Sequence, residues 1–175
     1  MYSLVFSILF VTFFAVTLLL RFWLANRHIR HVLANRARVP AEFASKIPLD
    51  AHQKAADYTV AKTKFGMAAT LFGGVVLIGF TLMGGLQALS SAVLEATGPG
   101  MGFQLGLIGA FAVVSGLLDL PFEYYRQFVL EERFGFNKMT IKLWIADMVK
   151  AALLGIAIGL PLVWIVLTLM DKTGP

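Results

Sequence analysis

"FGMAATLFGGVVLIGFTLMGGLQALSSAVL", Phe65–Leu94, contains no Asp, Glu, Lys or Arg. A helix rises about 1.5 Å per residue and the hydrocarbon core of a bilayer is about 30 Å thick, so roughly 20 such residues cross it. Met1–Leu20, Ala96–Leu118 and Ala151–Met170 are also free of charge. The 175-residue chain is 58% hydrophobic and 14% charged, against about 25% charged in a soluble domain. It has too little polar surface to cover itself in water. Lipid offers backbone groups no partners, so each span must be helical. The expected fold is an all-α integral membrane protein. One membrane domain, 1–175, holds four transmembrane helices at about 2–20, 66–88, 101–120 and 150–170.

Charge orients these spans. Arg21–Lys64 carries nine bases against three acids, a surplus larger than the net +5 of the whole chain. Ser90–Gly100 carries Glu95 and no base. The positive-inside rule then makes 21–64 and 121–149 cytoplasmic and puts the N-terminus and Asp171–Pro175 outside. The first apolar run has no basic leader, exceeds the length of a signal peptide's apolar core and precedes no A-x-A-like cleavage site, so it reads as an uncleaved span. The basic surplus is a topology signal and a contact for the lipid bilayer. No nucleic-acid partner is expected.

Punctuation refines the pattern. Arg21–Arg38 extends the first span as a basic helix that Pro40 terminates, because a proline disfavours helix in the residue before it. From Leu49 a second helix runs into the second span, with Asp50 as its N-cap. Gly98-Pro99-Gly100 is a turn. Gly102 with Gly106, and Gly155 with Gly159, have the spacing that places two glycines on one helix face and allows close helix packing. Pro161 lacks the N–H of a helical bond and should kink the last span.

Few arrangements carry chemistry. His28 and His31 share a helix face with no acid nearer in sequence than Glu42, and His52 is alone; zinc needs three or four ligands. There are no cysteines, no H-E-x-x-H and no G-x-S-x-G. The charge-free spans lack the intramembrane ionisable groups of a transporter; Glu95 and Asp119 lie only at span ends.

One polar stretch stands out. Asp119-Leu120-Pro121 reads as a helix start, because proline suits the first turn. The helix would run to about Phe134, with Gly135 as a left-handed C-cap and Asn137 or Thr140 capping the next. Glu131 and Glu132 then sit in a last turn, where carboxylates oppose the helix dipole. Such violations of local rules mark function or a distant partner, and bases outside their own turn are the expected partners.

"PFEYYRQFVLEERFGFNKMT", Pro121–Thr140, closely resembles the signature of the type I CAAX prenyl proteases. "VPAEF" (Val39–Phe43) and "YTVAKTKFG" (Tyr58–Gly66) resemble segments of the same family, in the same order. The resemblance implies an all-helical zinc metalloprotease with a chamber in the membrane, cleaving the terminal tripeptide of prenylated CAAX proteins. The family's zinc ligands, an H-E-x-x-H helix and a later glutamate, lie downstream of the matched region. This chain is therefore expected to hold no cofactor itself, zinc belonging to the full-length protein, and to be inactive alone. It would be the N-terminal chamber wall and docking surface for a downstream metalloprotease domain or polypeptide. Tyr124, Tyr125, Arg126, Glu131, Glu132, Arg133, Phe136 and Asn137 are the candidate rim. A stand-alone multi-pass scaffold derived from that family is the alternative.

Overall fold

The computed structural model describes Tyr2–Thr173. Met1, Gly174 and Pro175 lie outside the described residues, and with them the tip of the tail expected to be exterior. Six α-helices follow in order: α1 Tyr2–Asn35, α2 Leu49–Thr81, α3 Gly85–Thr97, α4 Met101–Tyr125, α5 Ile141–Leu154 and α6 Leu160–Thr173. Two π-helical segments, Arg126–Glu131 and Gly155–Gly159, continue α4 and join α5 to α6. Four of the resulting helices are long and apolar enough to cross a membrane: Leu4–Asn35, Leu49–Thr81, Met101–Glu131 and Ile141–Lys172. The chain is an all-α, multi-pass membrane protein.

It divides into two compact units. The first takes in the residues up to Leu77 together with Leu130–Gly135. Within it, a Cβ added to Gly74 would lie 2.8 Å from Phe14 Cζ, and Arg36 meets Asp57. Phe14 precedes Arg36 on the chain while Gly74 follows Asp57 on α2, so the two helices run antiparallel. Among the described residues the buried hydrophobic side chains are Ile29, Ala56, Leu130 and Phe134, all in this unit. Most other apolar side chains are exposed, as those facing lipid must be. The second unit is Ile78–Val129 with Phe136 onward. In it α3 packs along α4, and α4 along α6.

Several boundaries differ from the sequence reading. The apolar run of 66–88 is two helices. α2 ends at Thr81, Gly84 takes φ +80°, and α3 starts at Gly85. A Cβ on Gly85 would lie 2.8 Å from the Gly79 carbonyl oxygen, so the turn requires glycine. α1 stops at Asn35, before Pro40; the Asn35 side chain donates to the His31 carbonyl one turn back at 2.8 Å. Asp50 lies inside the first turn of α2, not at its N-cap, and its charge still complements the helix dipole.

No helix starts at Asp119–Pro121. α4 runs through Pro121 into the first π segment. In lipid, a helix break would strand several backbone groups, whereas an internal proline frees one carbonyl that local π adjustment can accommodate. Pro161 is treated alike: the helix persists through it, with the π segment Gly155–Gly159 just before. Gly135 adopts φ +72°, the left-handed conformation expected of it. Thr140 is the N-cap of α5 and accepts from the Leu143 N–H at 3.2 Å.

Candidate functional site

The first unit gathers polar side chains around its buried residues. Arg36 forms a two-pronged ion pair with Asp57, Nε to Oδ1 at 2.7 Å and the second nitrogen to Oδ2 at 2.8 Å. Its hydrogen bonds to Asp57 hold the Arg36 guanidinium above its ordinary value, so it stays charged. Tyr58 follows Asp57 on α2. The Tyr58 phenol donates to Glu131 Oε1 at 2.6 Å. Phe134 packs edge-on against the Tyr58 ring with centroids 5.3 Å apart. Lys62 Nζ lies 5.4 Å from the centre of the same ring, and the Arg133 guanidinium lies 5.7 Å from that of Phe134. His52 Nε2, in the tautomer that carries its proton there, donates to the Asn35 carbonyl at 3.0 Å, joining the start of α2 to the end of α1.

The second unit holds the other half of the candidate rim. Tyr124, Phe128 and Trp144 form an aromatic triad, with centroids 5.1, 6.0 and 5.7 Å apart. It fastens the end of α4 to α5. Asn137 Oδ1 accepts from Gln127 Nε2 at 2.6 Å and from the Met139 N–H at 2.8 Å. That carboxamide closes the loop between the π segment and α5. Arg126 pairs with Glu123 one turn back. Tyr125 and Phe136 are exposed, as is Glu132.

The predicted rim residues are drawn from both units. Glu131, Glu132 and Arg133 belong to the first unit; Tyr124, Tyr125, Arg126, Phe136 and Asn137 belong to the second. Within this first unit Glu131 meets the neutral Tyr58 phenol. The four predicted packing glycines also separate. A Cβ on Gly106 would lie 3.0 Å from Val93, so Gly106 admits α3, whereas Gly102, Gly155 and Gly159 face open space.

Sequence reasoning missed Arg36, Asp57, Tyr58 and Lys62 as site residues. Asp57-Tyr58 is an acid beside an aromatic on the polar half of an otherwise membrane-bound helix, and that juxtaposition was the available signal. It also missed a groove of about 940 Å³ in the second unit, between α4 and the α5–α6 helix. Leu105 to Glu123 line one wall and Trp144 to Val163 the other. Gly109, Gly116, Gly155 and Gly159 lie along it, and Asp119 stands near one end.

No group of three or more His, Cys, Asp or Glu among the described residues could hold a metal ion. The zinc implied by the family resemblance does not fit these residues.

Residues 28–175 match the family described as CAAX prenyl protease N-terminal, five membrane helices. CAAX prenyl protease 1 of Saccharomyces cerevisiae is 32% identical over 79% of this chain and 33% of its own length. The CAAX prenyl protease 1 homolog of Dictyostelium discoideum is 31% identical over 96% of this chain and 40% of its own. The crystal structure of S. mikatae Ste24p superimposes with a TM-score of 0.84 at 29% identity, over 92% of this chain and 38% of that one. The chain therefore spans a third to two-fifths of the length of these relatives. With the family matched over most of its residues, the chain belongs to the CAAX prenyl protease N-terminal family.

Proposed function

We propose that this chain is the N-terminal membrane portion of a CAAX prenyl endopeptidase-like zinc metalloprotease. It forms chamber wall and docking surface for a downstream catalytic domain and is not catalytic alone. One observation carries the reading: relatives named as CAAX prenyl proteases match this chain along most of its length, yet it spans only about a third of theirs.

Each unit offers a docking element of its own. In the first unit, Tyr58 and Phe134 hold the Leu130–Gly135 segment, so Glu131 and Arg133 are presented in fixed positions. In the second, the aromatic triad and Asn137 fix the loop leading to α5. A pre-ordered surface loses less conformational entropy on association than a mobile one. Both elements lie in the segments that the positive-inside rule assigns to the cytoplasm, with the N-terminus outside.

Co-expression tests the docking reading. The remainder of the S. cerevisiae relative, beyond the matched third, should co-purify with this chain from solubilised membranes. A remainder that never associates would leave the stand-alone scaffold as the better reading. Orientation is tested separately. Single cysteines placed at Lys46 and Gly100 of this cysteine-free chain should react with an impermeant maleimide from opposite sides of the membrane, Gly100 from outside. The reverse labelling would overturn the assigned topology.

A further inference from the structure

The groove beside α4 shares Trp144 with the aromatic triad but otherwise lies apart from the docking elements above. From Leu105 to Glu123, α4 contributes a wall about 27 Å long at 1.5 Å per residue, close to the hydrocarbon thickness of a bilayer. Ile108, Val113, Leu117, Leu160 and Val163 make it apolar. Its glycines are open: a Cβ added at Gly109, Gly116, Gly155 or Gly159 would meet nothing within 4 Å. Small residues at this kind of surface let a second helix backbone approach closely. Among the described residues α4 and α6 leave that side uncovered.

The groove also carries a charge. Glu123 near its end is paired with Arg126, whereas Asp119, one turn deeper, has no hydrogen-bond or ion-pair partner among the described residues. Ionisable side chains that border a membrane span generally pair with one another or with a cation. The family is described with five membrane helices, and among the described residues four helices are long and apolar enough to cross. The S. cerevisiae relative is about three times the matched length.

We propose that this groove seats one transmembrane helix from the part of the protease beyond this chain, and that a Lys or Arg on that helix pairs with Asp119. The inference rests on the docking reading above and narrows it to one partner, one seat and one ion pair. Length matches a spanning helix, the glycines admit its backbone, and Asp119 fixes its depth. An anionic phospholipid would bring a second negative charge to Asp119 and has no use for a glycine-lined floor.

The test uses the same pair of polypeptides. The chain has no native cysteine, so Gly116→Cys and Gly155→Cys can each carry a photo-activated cross-linker facing the groove. Phe13→Cys, exposed on α1, is the control. Cross-links from both groove positions should map to a single apolar helix of the S. cerevisiae remainder that contains a Lys or Arg. Asp119→Lys should lower co-purification by about tenfold or more, with helicity and melting of the isolated chain unchanged. Asp119→Asn should weaken it less, and converting the partner's base to Glu should rescue Asp119→Lys. Association with no groove cross-link, or with cross-links to lipid or to a second copy of this chain only, overturns the groove assignment while the docking reading stands. Association insensitive to Asp119→Lys overturns the ion pair. If the unaltered chain fails to associate, the docking reading and this inference fall together.

Discussion

Tyr58 and Glu131, 73 positions apart in sequence, are joined by a 2.6 Å hydrogen bond from phenol to carboxylate. The bond explains how an acid near the end of a helical segment, where the dipole disfavours it, is kept. A carboxylate accepting a hydrogen bond from a well-placed hydroxyl is worth more than a neutral pair. Here the phenol is itself held by Phe134.

Removing that donor should be measurable. Tyr58→Phe keeps the ring contact with Phe134 and deletes only the hydroxyl, so it should cost about 1–2 kcal/mol in stability. Glu131→Gln keeps an acceptor and should cost less. Thermal unfolding in detergent of both single variants and the double variant gives the coupling. Additive losses would show that the bond contributes nothing.

Arg36 and Asp57 form a paired fork between the first two helices of the chain. Arg36→Glu should destabilise the first unit more than Arg36→Ala, because it sets two carboxylates against each other. The swap Arg36→Asp with Asp57→Arg should recover part of the loss. Because the pair is accessible to solvent, raising the salt concentration should shrink these differences. Melting temperatures at low and high salt test the point.

The turn between α2 and α3 depends on two adjacent glycines with different constraints. Gly84→Ala places a side chain at φ +80° and should cost about 1–2 kcal/mol. Gly85→Ala drives a methyl to 2.8 Å from the Gly79 carbonyl and should be at least as damaging. Gly79→Ala points into open space and should be neutral or slightly stabilising, since alanine favours helix. Equal melting temperatures for all three would contradict the described turn.

The aromatic triad predicts a different signature. Phe128→Leu removes one ring from the triad and should lower stability by about 1 kcal/mol, the usual worth of an aromatic pair. It should also alter the near-ultraviolet circular dichroism arising from Trp144. A spectrum unchanged by the substitution would place Trp144 away from Phe128.

Much of the fold is legible because lipid imposes simple rules. Charge-free runs long enough to cross mark the spans, and the helices form there. The break at Leu82–Gly84 escapes a reading by composition because Phe65–Leu94 is uniformly apolar, which does not distinguish one helix from two. Gly84-Gly85 is the signal for it. Pro121 misleads for a related reason: proline starts helices in water, but in a membrane helix continuity outweighs one lost bond. Gly135 and Thr140 are readable because each acts locally, through a φ angle and a first-turn hydrogen bond. Tyr58 and Asp57 are not, because their partners are far along the chain. Asp119 is visible as a span-end acid, but its place on the groove wall depends on how α4 lies against α6.

The central claim is that this chain is the membrane wall of a protease whose catalytic residues lie elsewhere. Its most direct test is cleavage of a farnesylated CAAX peptide in liposomes. The preparations are this chain alone, the remainder of the S. cerevisiae relative alone, and the two together. The account predicts release of the terminal tripeptide only by the pair, abolished by a zinc chelator and restored by zinc. Cleavage by this chain alone, or a stably associated pair that stays inactive with zinc, would contradict it.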